Sequence, residues 1–127
     1  MRMTFIATLC ALALCVGLCV FSLHIIRGSV DEMTERCKMA ERAFHEGDIQ
    51  MAARILEEAS EYWDKTRRIM EIVVSHNMLM RVTEAEVKAR ANLTSNSIYE
   101  FERAMAVLYN ALTDVEERES PTITNIF

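Results

Sequence analysis

Glycine and proline are scarce in this chain, which has three glycines and one proline in 127 residues. Gly17 lies inside a long apolar run, so only Gly28, Gly47 and Pro121 follow it. These residue types are the usual breakers of regular structure. Their scarcity argues against a fold with many tight turns and predicts an all-α protein.

Cysteine pairs are missing from the part of the chain that could form a soluble domain. Cys10, Cys15 and Cys19 all lie in the apolar run, and Cys37 stands alone after it. A disulfide within the domain is therefore excluded. That pattern fits a reducing compartment, and equally an extracytoplasmic bacterial protein that does not use disulfides.

Recognisable catalytic and metal motifs are also missing. His24, His45 and His76 do not form a spacing such as His-Glu-x-x-His, which would hold zinc. No Gly-rich phosphate loop, nucleophile elbow or paired-cysteine motif occurs. The sequence predicts no catalytic residues, no metal and no cofactor, and the protein is not expected to be an enzyme.

Basic residues do not dominate either. The chain has 14 Lys and Arg against 19 Asp and Glu, a formal net charge of −5. An acidic domain is poorly suited to a polyanionic partner, because DNA and RNA binding depends on contacts from Lys and Arg to phosphates. Nucleic acid is therefore not expected as a partner.

The chain does have an uncharged apolar run from Phe5 to Ile26, which predicts a membrane-spanning helix. As a helix the run would be ~33 Å long, enough to cross a hydrocarbon core of ~30 Å. We assign residues 1–28 to a transmembrane anchor, with the membrane as partner through residues 5–26. Ala13 and Gly17 form a small-x-x-x-small pair that would let two spans pack, so a homodimer is possible.

The run is predicted to be retained rather than cleaved. A signal peptide usually has an apolar region of ~7–15 residues, and this one is longer. The small-x-small sequence Ala11-Leu12-Ala13 lies mid-run, where cleavage would leave an apolar new terminus. Leucine precedes each cysteine of the run, which argues against a lipoprotein signal.

The sequence predicts a single-pass protein of the plasma membrane and leaves the side of its domain open. A count of Lys and Arg after the span would keep the domain in the cytoplasm. However, these bases alternate with acidic residues between residues 31 and 42, and a long domain can translocate despite its charges. The extracytoplasmic side is the one we prefer.

Apolar residues at three-four spacing predict an antiparallel bundle of three to four helices over residues 29–119. The first stripe continues the phase of Leu23 and Ile26, which favours one helix running from the span into the domain; Ser29 as the cap of a new helix is the alternative. The stripes are Val30, Met33, Cys37, Ala40 and Phe44; Ile49, Ala52, Leu56, Ala59, Trp63, Thr66, Met70 and Val73; Met78, Val82, Ala85 and Ala89; and Ile98, Phe101, Met105, Leu108, Leu112 and Val115.

Three polar stretches separate these stripes. Gly47-Asp48 is a helix stop followed by a helix cap. An unbroken helix over residues 49–92 would be ~66 Å long, which is unusual, so a break is expected around Ser75-His76-Asn77. Residues 92–96 read as a loop before the capping sequence Ser97-Ile98-Tyr99-Glu100.

Four residues stand out as candidates for a structural or interaction role. Trp63 fits a core position better than a ligand platform. His76, at the expected helix break, is interpreted as a hydrogen-bonded structural residue; catalysis would need a partner such as Glu71 or Glu84. Ile126 and Phe127 end an apolar tail, residues 120–127, that is expected to dock on the domain or in a partner's groove, since exposed apolar side chains gain nothing in water.

A resemblance supports this division of the chain. An N-terminal span, an acidic helical domain, Gly47-Asp48, Trp63, His76 and the ending Asn125-Ile126-Phe127 resemble a family of small, uncharacterised membrane-anchored proteins of clostridia-like Gram-positive bacteria. The family is a domain of unknown function and implies no catalytic residue. It would lead us to expect acidic residues soon after the histidine, where this chain has Asn77 and Met80.

Three function classes follow from these patterns. The first is a membrane-anchored, non-catalytic helical module with a structural or interaction role, for which a protein is a candidate partner. The alternative is a membrane-tethered sensor that holds a ligand between its helices. An enzyme centred on His76 is the third. We favour the first, because no motif in the sequence supplies chemistry.

Overall fold

The computed structural model describes residues 1–95 and 97–119, with the backbone only at 118 and 119. Over this range the chain is all-α, as predicted. The elements are α1 (Arg2–His45), α2 (Ile49–Met70), α3 (His76–Ala91), a 3₁₀ turn (Asn92–Thr94) and α4 (Ile98–Glu119). The tail over residues 120–127, with Ile126 and Phe127, lies outside the described residues.

Helix α1 passes without interruption from the apolar run into the domain. Ser29 lies inside it and is 5% exposed, so it does not cap a new helix. The side chains up to Phe21 are exposed, whereas from Ile26 onward one face is buried. The alternative of a separate helix starting at Ser29 is wrong, and continuity of the stripe is confirmed.

The turn from α1 to α2 has the predicted chemistry. Gly47 adopts a φ of +86°, a left-handed conformation that costs a residue with a Cβ but not glycine. The N–H groups of Gly47 and Asp48 donate to the carbonyls of Phe44 and Ala43, at 3.0 and 2.9 Å. Asp48 then caps α2, its Oδ1 accepting from the N–H of Met51 at 3.0 Å. The two helices are therefore antiparallel neighbours.

The expected break near His76 is also present. Helix α2 ends at Met70, and Ser75 caps α3 by accepting from the N–H of Met78 at 3.3 Å. Between them lies an irregular corner over residues 71–75, which we call the α2–α3 corner.

The predicted stripes meet in one core. The largest fully buried side chains come from all four helices, and they include Trp63, Phe101, Ile26, Met33, Leu56, Met70, Leu79, Met105, Leu108 and Leu112. Ile49, Val73 and Ile98 depart from their stripes and are 45%, 39% and 63% exposed. Ile49 and Ile98 are the first residues of their helices, beyond the packed face. Val73 follows the end of α2, where the helical phase is lost and Val74 is buried in its place.

Pairwise contacts fix which end of the bundle is which. The centroids of the Phe44 and Phe101 rings lie 4.1 Å apart, and His45 Nε2 lies 3.4 Å from Glu102 Oε1. The start of α4 is therefore beside the end of α1, remote from the apolar run. At the opposite end, Ile69 of α2 lines one groove together with His24 and Ile25 of α1.

Candidate functional site

Trp63 lies in the core between α2 and α3. Its side chain is 1% exposed, and its Nε1–H donates to the Thr83 hydroxyl at 3.0 Å. That hydroxyl donates in turn to the Leu79 carbonyl at 3.3 Å. The polar atom of the indole is thus paired inside the core, and the ring is not an open platform for a ligand.

Glu86 of α3 is a buried carboxylate, 2% exposed. Arg90 Nε lies 2.6 Å from its Oε1, although the N–H is not directed well enough for a hydrogen bond. Burial raises the pKa of Glu86, and this outweighs the nearby Arg90 charge and the polar Ser60 side chain, which act the other way. The protonated carboxyl is therefore favoured more strongly here than in water.

Two further titratable groups share this interior. Burial, reinforced by the charges of Glu86 and Glu41, raises the pKa of the Cys37 thiol to about 12. Burial also raises the pKa of Tyr109, and the Glu41 carboxylate beside its hydroxyl adds to the effect. We call Cys37, Ser60, Glu86 and Tyr109 the interior polar cluster; each residue comes from a different helix.

The Cys37 thiol of the interior polar cluster is held in its unreactive form. A thiol with so high a pKa is protonated at neutral pH, and the thiolate is the reactive form. Buried polar groups cost free energy unless they are paired, and they favour one arrangement of the helices over others. Glu86 Oε1 and the Tyr109 hydroxyl are buried without a hydrogen-bond partner among the described residues, so the cluster is only partly paired.

The sequence analysis missed Glu86, as it missed Ser60 and Tyr109, but Glu86 is the member of the cluster that its spacing could have revealed. Its signal was present in the spacing, since Leu79, Val82, Glu86 and Ala89 follow one another at three-four intervals on α3. A glutamate in that phase lies on the same face of α3 as its buried neighbours. The stripe Met78, Val82, Ala85 and Ala89 is buried as predicted, and α3 buries Leu79 and Glu86 as well.

His76 is the first residue of α3, on the outside of the α2–α3 corner. Its Nδ1 lies 3.4 Å from Glu71 Oε1, which also accepts from Arg67 Nη1 at 3.2 Å. The imidazole is 66% exposed. The structure therefore brings His76 together with one of its two suggested carboxylate partners, but in water and apart from the buried interior polar cluster.

Three open grooves mark the surface of the bundle. Two of about 250 and 260 Å³ adjoin each other between α3 and α4, and both are lined by Ala85, Lys88 and Val107. A third, of about 470 Å³, lies between α1 and α2 at the end of the apolar run. Among the described residues, no group of three or more His, Cys, Asp or Glu side chains is placed to hold a metal.

Residues 20–126 match the family model described as Domain of unknown function (DUF4363). The chain belongs to this family. No curated protein and no solved structure matches the chain. The resemblance to an uncharacterised domain family is thereby confirmed, and the DUF4363 domain begins inside the apolar run, six residues before Ile26 enters the core.

Proposed function

We propose that this DUF4363 protein is a single-span membrane-anchored helical module, with a structural or interaction role rather than a catalytic one. The observation that carries the proposal is the continuity of α1. One helix contains both the apolar run and seven residues buried in the domain: Ile26, Ser29, Val30, Met33, Cys37, Ala40 and Ala43.

The surroundings of the apolar run support a span over the two other uses of such a helix. Helix α1 is long and apolar enough to cross a membrane, but some core helices and some signal sequences are as well. A core helix would be mostly buried, whereas only 6% of the apolar 18-residue window of α1 is buried. Cleavage as a signal at the end of the run would remove Ile26, which is 1% exposed in the core.

The placement of the titratable groups supports a non-catalytic role. Perturbed pKa values in a cleft are a mark of catalytic sites. Here the perturbed groups are Cys37, Glu86 and Tyr109, which lie in the packed interior, while His76 lies outside it. None of these groups lines the described grooves.

The proposal is tested on the full chain in its own membrane. Membranes stripped with alkaline carbonate should retain the protein, and mass spectrometry should find peptides from residues 5–26 in it. Leu14→Arg, near the centre of the run, should abolish retention, because an arginine at the centre of a span costs about 2.5–3.5 kcal/mol on insertion scales. Recovery of the wild-type chain in the soluble fraction, or without residues 5–26, would contradict the proposal.

We place the domain on the extracytoplasmic side of the plasma membrane, in line with the alternating charges that follow the span. Ile98→Cys puts a thiol at a 63% exposed position at the end of the bundle remote from the apolar run. A membrane-impermeant maleimide should label it in intact cells, with the wild-type chain as control. Labelling that needs broken cells would put the domain in the cytoplasm instead.

The interaction role is tested by proximity crosslinking from the domain in native membranes. Val107 lines both α3–α4 grooves and is 52% exposed. A photoreactive group at Val107 should capture a defined protein neighbour. The homodimer is tested separately with Gly17→Leu. A Cβ added at Gly17 would meet nothing within 4 Å, so the substitution should leave the helix intact. The Gly17→Leu protein should self-associate less than wild type, because the small residue that lets two spans pack is lost.

A further inference from the structure

We propose that the α2–α3 corner, together with Ile69 in the last turn of α2, is a second membrane contact, in which Ile69, Ile72 and Val73 enter the interfacial layer of the bilayer beside the end of the span. This inference rests on the proposed function, since it requires α1 to span. Its consequence is that the bundle lies against the membrane surface on that corner instead of standing clear of it on α1 alone.

The register of α1 against α2 brings the corner to the level of the apolar run. Ser22 and Leu23, which lie within the run, are already partly covered, whereas the preceding side chains are exposed. His24 and Ile25 share a groove with Tyr62, Thr66 and Ile69. Because α2 is antiparallel to α1, the chain beyond Ile69 continues toward the span. Ile72 is therefore level with, or beyond, the last turn of the run.

Three large apolar side chains at and beside the corner are exposed, which is unusual for isoleucine and valine. Ile72 is 84% exposed and Ile69 is 56% exposed, while Val73 is 39% exposed. The neighbouring Met70 and Val74 are buried and hold the corner onto the core, so the three exposed side chains are displayed on an anchored segment. Clustered apolar side chains at one end of a domain mark a contact with a partner or a membrane.

The charges around the corner suit a bilayer interface. Arg68 lies near the end of α2 and Arg27 follows the apolar run on α1, while Arg67 is paired with Asp64 and Glu71. Long basic side chains at this level can reach anionic headgroups while their stems cover apolar surface. Glu71 is held by Arg67 and lies beside His76, which reduces the cost of a carboxylate near anionic lipid.

The position of the corner identifies lipid as its occupant. Polar residues such as Ser75 flank the apolar ones, which matches an interfacial depth and not the hydrocarbon centre. The groove beside the corner is continuous with the exposed surface of the apolar run through His24 and Ile25. Whatever surrounds that run also meets Ile69, which lines the groove, and around a span this is the bilayer.

The test places an environment-sensitive fluorophore at three positions of the full chain in vesicles of phosphatidylcholine and phosphatidylglycerol. The background carries Cys10→Ser, Cys15→Ser and Cys19→Ser, and keeps Cys37, which is buried with a pKa of about 12 and does not label. Single cysteines then replace Ile72, Ile98 or Leu14. Circular dichroism verifies that each variant is folded, and nitroxide lipids labelled near the headgroup or deep in the acyl chain quench the probe.

We expect blue-shifted emission and strong quenching by the shallow nitroxide at Ile72→Cys, with neither at Ile98→Cys. Leu14→Cys should be quenched by the deep nitroxide, which reports the span itself. If Leu14→Cys is quenched and Ile72→Cys resembles Ile98→Cys, the corner contact is overturned while the anchor stands. If Leu14→Cys is not quenched, the span and the contact that rests on it both fail. A blue shift at Ile72→Cys without quenching would mean a protein neighbour and would also overturn the lipid contact.

Discussion

Thr83 should contribute to folding stability although its side chain is partly exposed, because its hydroxyl accepts the only hydrogen bond that the indole of Trp63 can donate. Thr83→Val keeps the shape and removes the acceptor. A buried donor left unpaired costs ~1–3 kcal/mol. Chemical denaturation of the full chain in micelles should show that loss. Thr83→Ser retains the hydroxyl and should lie close to wild type; equal losses in both variants would mean that packing, not the hydrogen bond, is at stake.

Glu86 should make the stability of the domain depend on pH in a direction opposite to most carboxylates. The pKa of Glu86 is higher in the folded protein than in the unfolded chain. The contribution of Glu86 to folding stability is therefore fully present below its unfolded pKa and is lost as the pH rises through its folded pKa. Glu86→Gln removes this titration. The melting temperature of wild type minus that of Glu86→Gln should therefore fall from pH 4 to pH 8. A difference that is constant, or that rises with pH, would contradict the raised pKa.

At the scale of elements, the packed faces of α2 and α4 should depend strongly on single leucines. Leu56 and Leu108 are both fully buried. Replacing either by alanine leaves a cavity and should cost about 2–5 kcal/mol. Val107→Ala, on the exposed side of α4, is the matched control and should stay within about 0.5 kcal/mol. Thermal melting of the full chain measures all three, and unchanged melting of both leucine variants would show that the core is assigned wrongly.

The two glycines after the apolar run should respond in opposite ways to the same substitution. Gly28 lies inside α1, and a Cβ there would meet nothing within 4 Å, so Gly28→Ala should stabilise the helix by about 0.5–1 kcal/mol. Gly47 has a φ of +86°, where a Cβ costs roughly 1–2 kcal/mol, so Gly47→Ala should destabilise. Melting temperatures that shift in the same direction would refute this contrast.

Most of the element structure followed from periodicity and from a few local signals. The glycine at 47, the cap at Asp48 and the break before His76 are local chemistry, and the sequence contains them in full. Burial at the helix ends is a tertiary property, which is why Ile49 and Ile98 were assigned to the core although they are exposed. Glu86 was missed because a carboxylate is expected to face water; Arg90 is near it through helical spacing alone, whereas Ser60 of α2 comes near it only in the fold.

At the scale of the whole molecule, the tail beyond α4 remains a prediction from sequence. Burying Ile126 and Phe127 would gain about 1.5–3 kcal/mol each, against ~1–2 kcal/mol per ordered residue. Deletion of residues 125–127 should lower the melting temperature if the tail docks on its own domain. If stability is unchanged and a crosslinked partner is lost, the tail is a recognition segment. If neither changes, the docking hypothesis is wrong.

The unbroken α1 also has a geometric consequence for the protein in a bilayer. In a continuous helix each residue adds about 1.5 Å of length and roughly 100° of rotation. One residue inserted between Leu23 and Ile26 would therefore turn the bundle by more than a quarter of a circle relative to the span. The number of residues between the span and the bundle thus fixes the rotation of the domain about the membrane normal. The side of the domain that meets a neighbour in the membrane is therefore coupled to the side of the span that meets the same neighbour.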